Sequence, residues 1–186
     1  MKRVLSCALI AISLFLVACS PAKANAKSTV EAYLNALTAL DYSTANSLAI
    51  QDSTNLQAEI TQSKANDKIF KNLKYQILNV YKEDGNFHIT LIIEQLSLTS
   101  VYTDTISDYS AYVESAKNQG KTYSDSALKA KWDEFFENRL SSAQTIASFP
   151  CEAIVLATSE GNKILMTSDL RNALFGGALD AININK

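Results

Sequence analysis

Apolar positions change period several times along the chain, and each change marks an element. Residues 4–17 form an apolar run behind Lys2 and Arg3. A run of this length suits the core of a signal peptide, whereas a permanent span across a ~30 Å hydrocarbon layer takes about 20 residues. Residues 20–27, Ser-Pro-Ala-Lys-Ala-Asn-Ala-Lys, are small and polar with no apolar period, which predicts a short tether. Order is expected from Ser28, because Ser28 and Glu31 have capping-box spacing. Val30, Tyr33, Leu34, Leu37 and Leu40 then follow one helical face. Asp41-Tyr42-Ser43 interrupts it, with Ser43 placed to cap a short second helix through Leu48 and Ala49. A third, more polar helix is predicted over 56–73, with Ile60, Ile69, Phe70 and Leu73 inward.

From Lys74 the period shortens to two. Residues 74–82 alternate and are rich in Tyr, Ile and Val, and Asp84-Gly85 is suited to the positive φ angles of a tight hairpin. On the return strand, 86–99, Phe87, Ile89, Leu91 and Ile93 share a face, but Leu96 and Leu98 have the opposite parity. That switch predicts a β-bulge near Glu94-Gln95, bending the strand. Helical spacing resumes over 104–146. Asp104 or Ser107 caps a helix carrying Ile106, Tyr109, Val113 and Ala116 and stopped by Gly120. Ser124 or Asp125 caps a longer one carrying Leu128, Trp132, Phe135, Phe136, Leu140 and Ala143. Residues 149–158 and 163–167, joined by Glu160-Gly161-Asn162, predict a second hairpin with Pro150 at the mouth of its first strand. Ser168 and Asp169 cap a last helix, which Gly176-Gly177 either end or let pack closely on the sheet. This order argues for α+β: a curved antiparallel sheet of about four strands against N-terminal helices, a helical insert between two hairpins, and a C-terminal helix.

The end of the first apolar run changes the picture. Leu16-Val17-Ala18-Cys19 resembles a bacterial lipobox, which implies a diacylglycerol thioether on Cys19 and cleavage just before it. The expected organisation is a signal peptide over 1–18, a lipidated tether over 19–27 and one domain over 28–186. Cleavage removes 18 of the 186 residues and leaves 168, enough for one domain with a sizeable core. It also takes Lys2 and Arg3 from the 17 basic residues, leaving 15 against 19 acidic and a net charge of −4. No basic run is expected to survive, which argues against nucleic acid and anionic lipid surfaces as electrostatic partners. With Cys19 lipidated, Cys151 is the one spare thiol, so no internal disulfide is expected.

The stretch from Ser28 to Ala45, Ser-Thr-Val-Glu-Ala-Tyr-Leu-Asn-Ala-Leu-Thr-Ala-Leu-Asp-Tyr-Ser-Thr-Ala, resembles the first helices of bacterial lipoproteins with a nuclear-transport-factor-2-like, or cystatin-like, domain. The stretch from Ile164 to Leu179 is similar to the strand and helix that close such lipoproteins in low-GC Gram-positive bacteria. The resemblance implies a cone-shaped scaffold with an internal cavity, and the long insert between the hairpins departs from its simplest version. Fold alone implies no activity.

The chain has no His-Glu-x-x-His, Cys-x-x-Cys, Gly-x-Ser-x-Gly or phosphate-cradling glycine loop, so no metal or other cofactor is expected. The one histidine, His88, has a parity opposite to Phe87 and Ile89 and belongs on the sheet surface rather than in the role of a general base. Cys151 lies among Phe149, Ala153 and Val155, the setting of a buried inert thiol rather than of a nucleophile served by His88. Folds related by the resemblance pair an acidic base with a tyrosine in the cavity. Tyr75, Tyr81, Asp104 and Asp108 are the candidates here, and their spacing selects none. Trp132, Phe135 and Phe136 are the candidate pocket lining, with plain core as the alternative. Glu83-Asp84 and Asp133-Glu134 read as solvated faces, not calcium ligands. The expected role is a membrane-anchored, extracytoplasmic, non-catalytic binding module for a small apolar ligand or a protein. The alternative is a small isomerase-like or lyase-like cavity enzyme on the same scaffold.

Overall fold

A computed structural model describes residues 20–51 and 59–179. The signal segment, Cys19 and the start of the third predicted helix lie outside these residues. Helix α1 is Pro21–Thr38, so order begins seven residues before the expected Ser28. Proline at the first helical position has its φ already set and no amide to satisfy, and the alanines after it favour helix. Ala26 is buried and extends the face of Val30, Tyr33, Leu34 and Leu37 by a turn. Residues 21–27 are therefore helix rather than a loose tether. Ser28 caps nothing, and Glu31 pairs with Lys27 at 3.6 Å.

The cap of α2, Tyr42–Ser47, is Asp41, which accepts from the Thr44 amide at 3.0 Å, so the expected Ser43 cap is two residues late. A strand that alternation did not signal follows at once, β1, Ala49–Gln51. The third helix is shorter than expected. It is α3, Lys64–Phe70, capped by Ser63. Before it, Ile60 is held by both ends of the Asn46 side chain, at 2.8 and 3.1 Å. Even so, Ile60, Ile69, Phe70 and Leu73 all point inward as expected.

Strands β2, Lys74–Glu83, and β3, Asn86–Leu96, form the first hairpin, and Asp84 and Gly85 take φ of 49° and 86° at its turn. The expected bulge near Glu94-Gln95 is absent. Pairing of β3 with β4, Ile146–Thr158, runs unbroken through Leu96↔Ile146. The parity argument misled because Gln95, a polar residue, holds the inward position and is fully buried. The irregularity lies instead in β2, where the register shifts between Ile77 and Asn79 and leaves Leu78 55% exposed.

Helices α4, Thr99–Asn118, and α5, Asp125–Ser142, form the insert. The first begins five residues before Asp104, so neither Asp104 nor Ser107 caps it; Ser124 does cap α5, accepting from the Ala127 amide. Only Leu140 of α5 is buried, so the hairpin touches the body chiefly at its base. Pro150 sits inside β4 rather than at its mouth. It precedes the stretch of β4 paired with β5, Gly161–Met166, and its missing amide points to the same side as the Glu152 amide, which reaches the Asp169 side chain and not β3. The chain closes with α6, Ser168–Leu174, capped by Thr167.

The sheet is five-stranded and mixed, in the order β1-β5-β4-β3-β2, with only β1 and β5 parallel. The expected four strands become five because β1 joins the β5 edge. Ile89, Leu91, Ile93, Ala153, Val155, Ile164 and Met166 form the covered face, against which α1, α3 and α6 pack. His88, Thr90, Ile92, Glu152 and Ile154 on the other face are only half-buried. The α6 end is fastened closely to the end of β3. The Gln95 side-chain amide donates to the carbonyls of Ala173 (3.0 Å) and Leu174, and the Leu98 amide donates to Gly176 O at 2.8 Å. Gly176 and Gly177, with φ of 55° and 79°, thus both end the helix and allow close packing.

Candidate functional site

A cleft of about 700 Å³ lies at one end of the sheet. Strand register places Lys74 opposite Glu94 and Leu96 opposite Ile146 there. The ends of three helices meet the same cleft: Thr38 from α1, Lys71 and Asn72 after α3, and Ala143 and Gln144 after α5. Leu73 and Leu96 are buried in its floor, and Ile146 is 52% exposed at its rim.

Helix C-termini present carbonyls and favour cations. Lys68 answers that field directly, donating to Ser141 O at 2.6 Å. Lys71 and Lys74 are exposed, and neither makes an ion pair among the described residues, although Glu94 stands opposite Lys74. The cleft therefore combines Leu73, Leu96 and Ile146 with Glu94, Asn72 and Gln144 and with two ammonium groups that are in no ion pair among the described residues. The sequence carried a signal for this that the search for basic runs missed. Lys64, Lys68, Lys71 and Lys74 are spaced by four, three and three residues, one side of a helix continued into a strand.

A second polar cluster lies on the half-buried sheet face. Tyr81 faces His88 across β2 and β3, and their rings stack with centroids 5.2 Å apart. Glu152 joins them from β4, accepting from the Tyr81 hydroxyl at 2.5 Å and lying 2.9 Å from His88 Nδ1. Burial pushes the Glu152 carboxyl up, but the hydrogen bonds from Tyr81 and His88 outweigh it and hold the group below its usual range. Tyr81 is pushed up to about 12, first by its bond to Glu152 and then by desolvation and nearby carboxylate charge. Both shifts move away from neutrality, so the pair is a poor base and a poor acid. The sequence offered Tyr81 as a candidate but not Glu152, which only strand pairing brings alongside.

Glu152→Gln should therefore bring Tyr81 ionisation back toward its ordinary 10.0, read by ¹³Cζ tyrosine NMR across alkaline pH. The folded value is the raised one, so this contact stabilises the fold below pH 10 and loses its effect as pH climbs toward 12. An unmoved Tyr81 titration would remove Glu152 as the cause.

The other candidates are dispersed. Cys151 pairs with Leu91 and His88 with Ile154, so the thiol and the imidazole point to opposite faces and form no catalytic pair. Burial, and then the Asp169 charge, push the Cys151 thiol up to about 12. Tyr75 donates to Asn35 Oδ1 at 3.0 Å. Asp108 takes a two-pronged contact from Arg139, at 2.7 and 2.9 Å, which holds its carboxyl below the usual range, and Asp104 lies 3.6 Å from the same guanidinium. Asp133 and Glu134 pair with Lys129 and Lys131, and no cluster able to hold a metal ion occurs among the described residues. Trp132 and Phe135 pack on Tyr109 and Tyr112 of α4, and Phe136 on Tyr102. These three form the seam of the helical insert and do not line the end-of-sheet cleft.

No helix among the described residues is long and apolar enough to cross a membrane. Compared with known proteins, the chain matches no family model, no curated protein and no solved structure.

Proposed function

We propose that this chain is a lipoprotein held on the extracytoplasmic side of the cell membrane by a diacylglycerol group on Cys19, and that its nuclear-transport-factor-2-like domain is a non-catalytic binding module. The binding half of this reading is carried by the end-of-sheet cleft, where Lys71 and Lys74, exposed and in no ion pair among the described residues, share the lining with Leu73, Leu96 and Ile146. A cleft of this size that sets apolar side chains beside charged and polar ones suits a small molecule with an apolar part to cover and a charged part to fix. Among the described residues its lining contains Glu94 but no tyrosine, so the carboxylate–tyrosine pair that the isomerase-like alternative needs is not found there. The anchoring half is supported by Leu16-Val17-Ala18-Cys19 at the end of the apolar run. Two or three acyl chains hold a protein stably where one does so only marginally.

Cys19→Ser tests the anchor. The variant should leave the detergent phase on phase partitioning while keeping the circular dichroism spectrum and thermal midpoint of the parent. Retention of the variant in the detergent phase, at the parent's level, would count against lipidation.

A further inference from the structure

We propose that the end-of-sheet cleft takes a soluble anionic amphiphile, with a carboxylate or phosphate head on Lys71 and Lys74 and a short apolar body on Leu73, Leu96 and Ile146. This rests on the binding-module reading and adds the chemistry of the ligand.

Charge is the first argument. The mature chain has a net charge of −4, yet four of its 15 basic residues fall within the 11 residues from Lys64 to Lys74. Three of those four line the cleft. Lys68 is committed to Ser141 O and satisfies a carbonyl of the α5 end. Lys71 and Lys74 have no such partner among the described residues, and like charges lining one cleft favour an anion in it. Glu94 lies across the strand pair from Lys74 without closing an ion pair on it. A carboxylate or phosphate oxygen would supply the missing partner, with the strength of a charge-assisted hydrogen bond.

The floor is the second argument. Leu73 and Leu96 line the cleft with the lysines and are buried, and Ile146 is one of two large apolar side chains more than half exposed among the described residues. An inorganic anion would leave the Ile146 side chain wet, whereas a short alkyl or aryl group would cover it.

Position bears on the choice between a free amphiphile and a headgroup of the anchoring bilayer. Cys19 stands two residues before Pro21, and α1 runs 18 residues, about 27 Å, to Thr38 at the cleft. The cleft is thus one helix length from the proposed anchor.

The test uses the lipidated mature chain in nanodiscs of phosphatidylcholine, titrated calorimetrically against empty discs. Hexanoate and hexyl phosphate should bind at least tenfold more tightly than hexan-1-ol or inorganic phosphate, and more weakly as salt rises. The double variant K71Q/K74Q, both positions being exposed, should lose at least tenfold in affinity for the two anions with its thermal midpoint unchanged. Equal binding of hexan-1-ol, or undiminished affinity in the double variant, overturns the anion assignment while leaving a binding module. Absence of binding by all four compounds overturns the ligand class. Discs made with phosphatidylglycerol distinguish the sources, since suppression of hexyl phosphate binding there would assign the site to a lipid headgroup and overturn the soluble one. Recovery of a chemically altered ligand, by mass spectrometry, would instead sink the non-catalytic reading itself.

Discussion

Gly176→Ala is expected to cost about 3 kcal/mol or more of folding stability, a large share of what a domain of this size has. A methyl group at this position would meet Leu96 O at 2.0 Å, with Leu96 C and Leu98 N at 3.1 Å. These are backbone atoms of the β3 end and cannot swing aside as a flexible side chain would. The same alanine would also carry φ near 55°, a conformation worth roughly 1–2 kcal/mol against an L residue. Gly85→Ala is the control. It has φ of 86° but nothing within 4 Å, so it should lose only the conformational part, about 1 kcal/mol. Urea unfolding midpoints of the two variants give the comparison directly. Equal losses would mean that the contact with Leu96 yields without strain.

Gln95→Glu should be the second severe substitution, at about 3–5 kcal/mol near pH 7, because it turns a buried donor into a buried negative charge facing two carbonyl oxygens. The loss should shrink with acidification. In the folded variant the carboxyl is driven above its unfolded value of about 4.3, so the protonated form is favoured there and can donate as the amide does. Stability is then fully present below that unfolded value and falls as pH rises through the raised folded one. Gln95→Met, which loses the hydrogen bonds without adding charge, should cost about 2 kcal/mol with no such pH dependence. A pH-independent deficit in the glutamate variant would show that water reaches the site. Both substitutions act on the same seam, where α6 is fastened to the end of β3.

Where the chemistry is local, the residues announced the structure. Asp84-Gly85 needs only its own φ angles, and the apolar face from Val30 to Leu37 needs only a period. Where a distant partner decides, they did not. β1 is three residues long and is a strand only because Ile164, Leu165 and Met166 pair with it. Gln95 looked like a break in the inward face because its justification, the carbonyls of Ala173 and Leu174, lies 78 and 79 residues away. The tether reading failed for a different reason: Ser-Pro-Ala-Lys-Ala-Asn-Ala has too few large apolar residues to show a period, yet alanines propagate a helix well.

The candidate site follows the same division. The lysine stripe was visible as spacing, but its enclosure came from three helix ends and three strand ends that no local pattern connects. Trp132, Phe135 and Phe136 share spacing along α5, as a stripe would. Their partners, tyrosines of α4, decided that the stripe is a seam between helices. Glu152 reached Tyr81 and His88 across 71 and 64 residues of sequence, through register alone.

The early start of α1 has a mechanical consequence under the proposed anchoring. Eight residues of loose coil would let the domain wander by roughly 16 Å from its attachment. A helix beginning at Pro21 removes that slack, and the body swivels about a single short joint like a door on its hinge. Molecules bound there would be collected from a thin layer next to the bilayer, and inserting a glycine-serine leash before Pro21 should widen that layer without altering the fold.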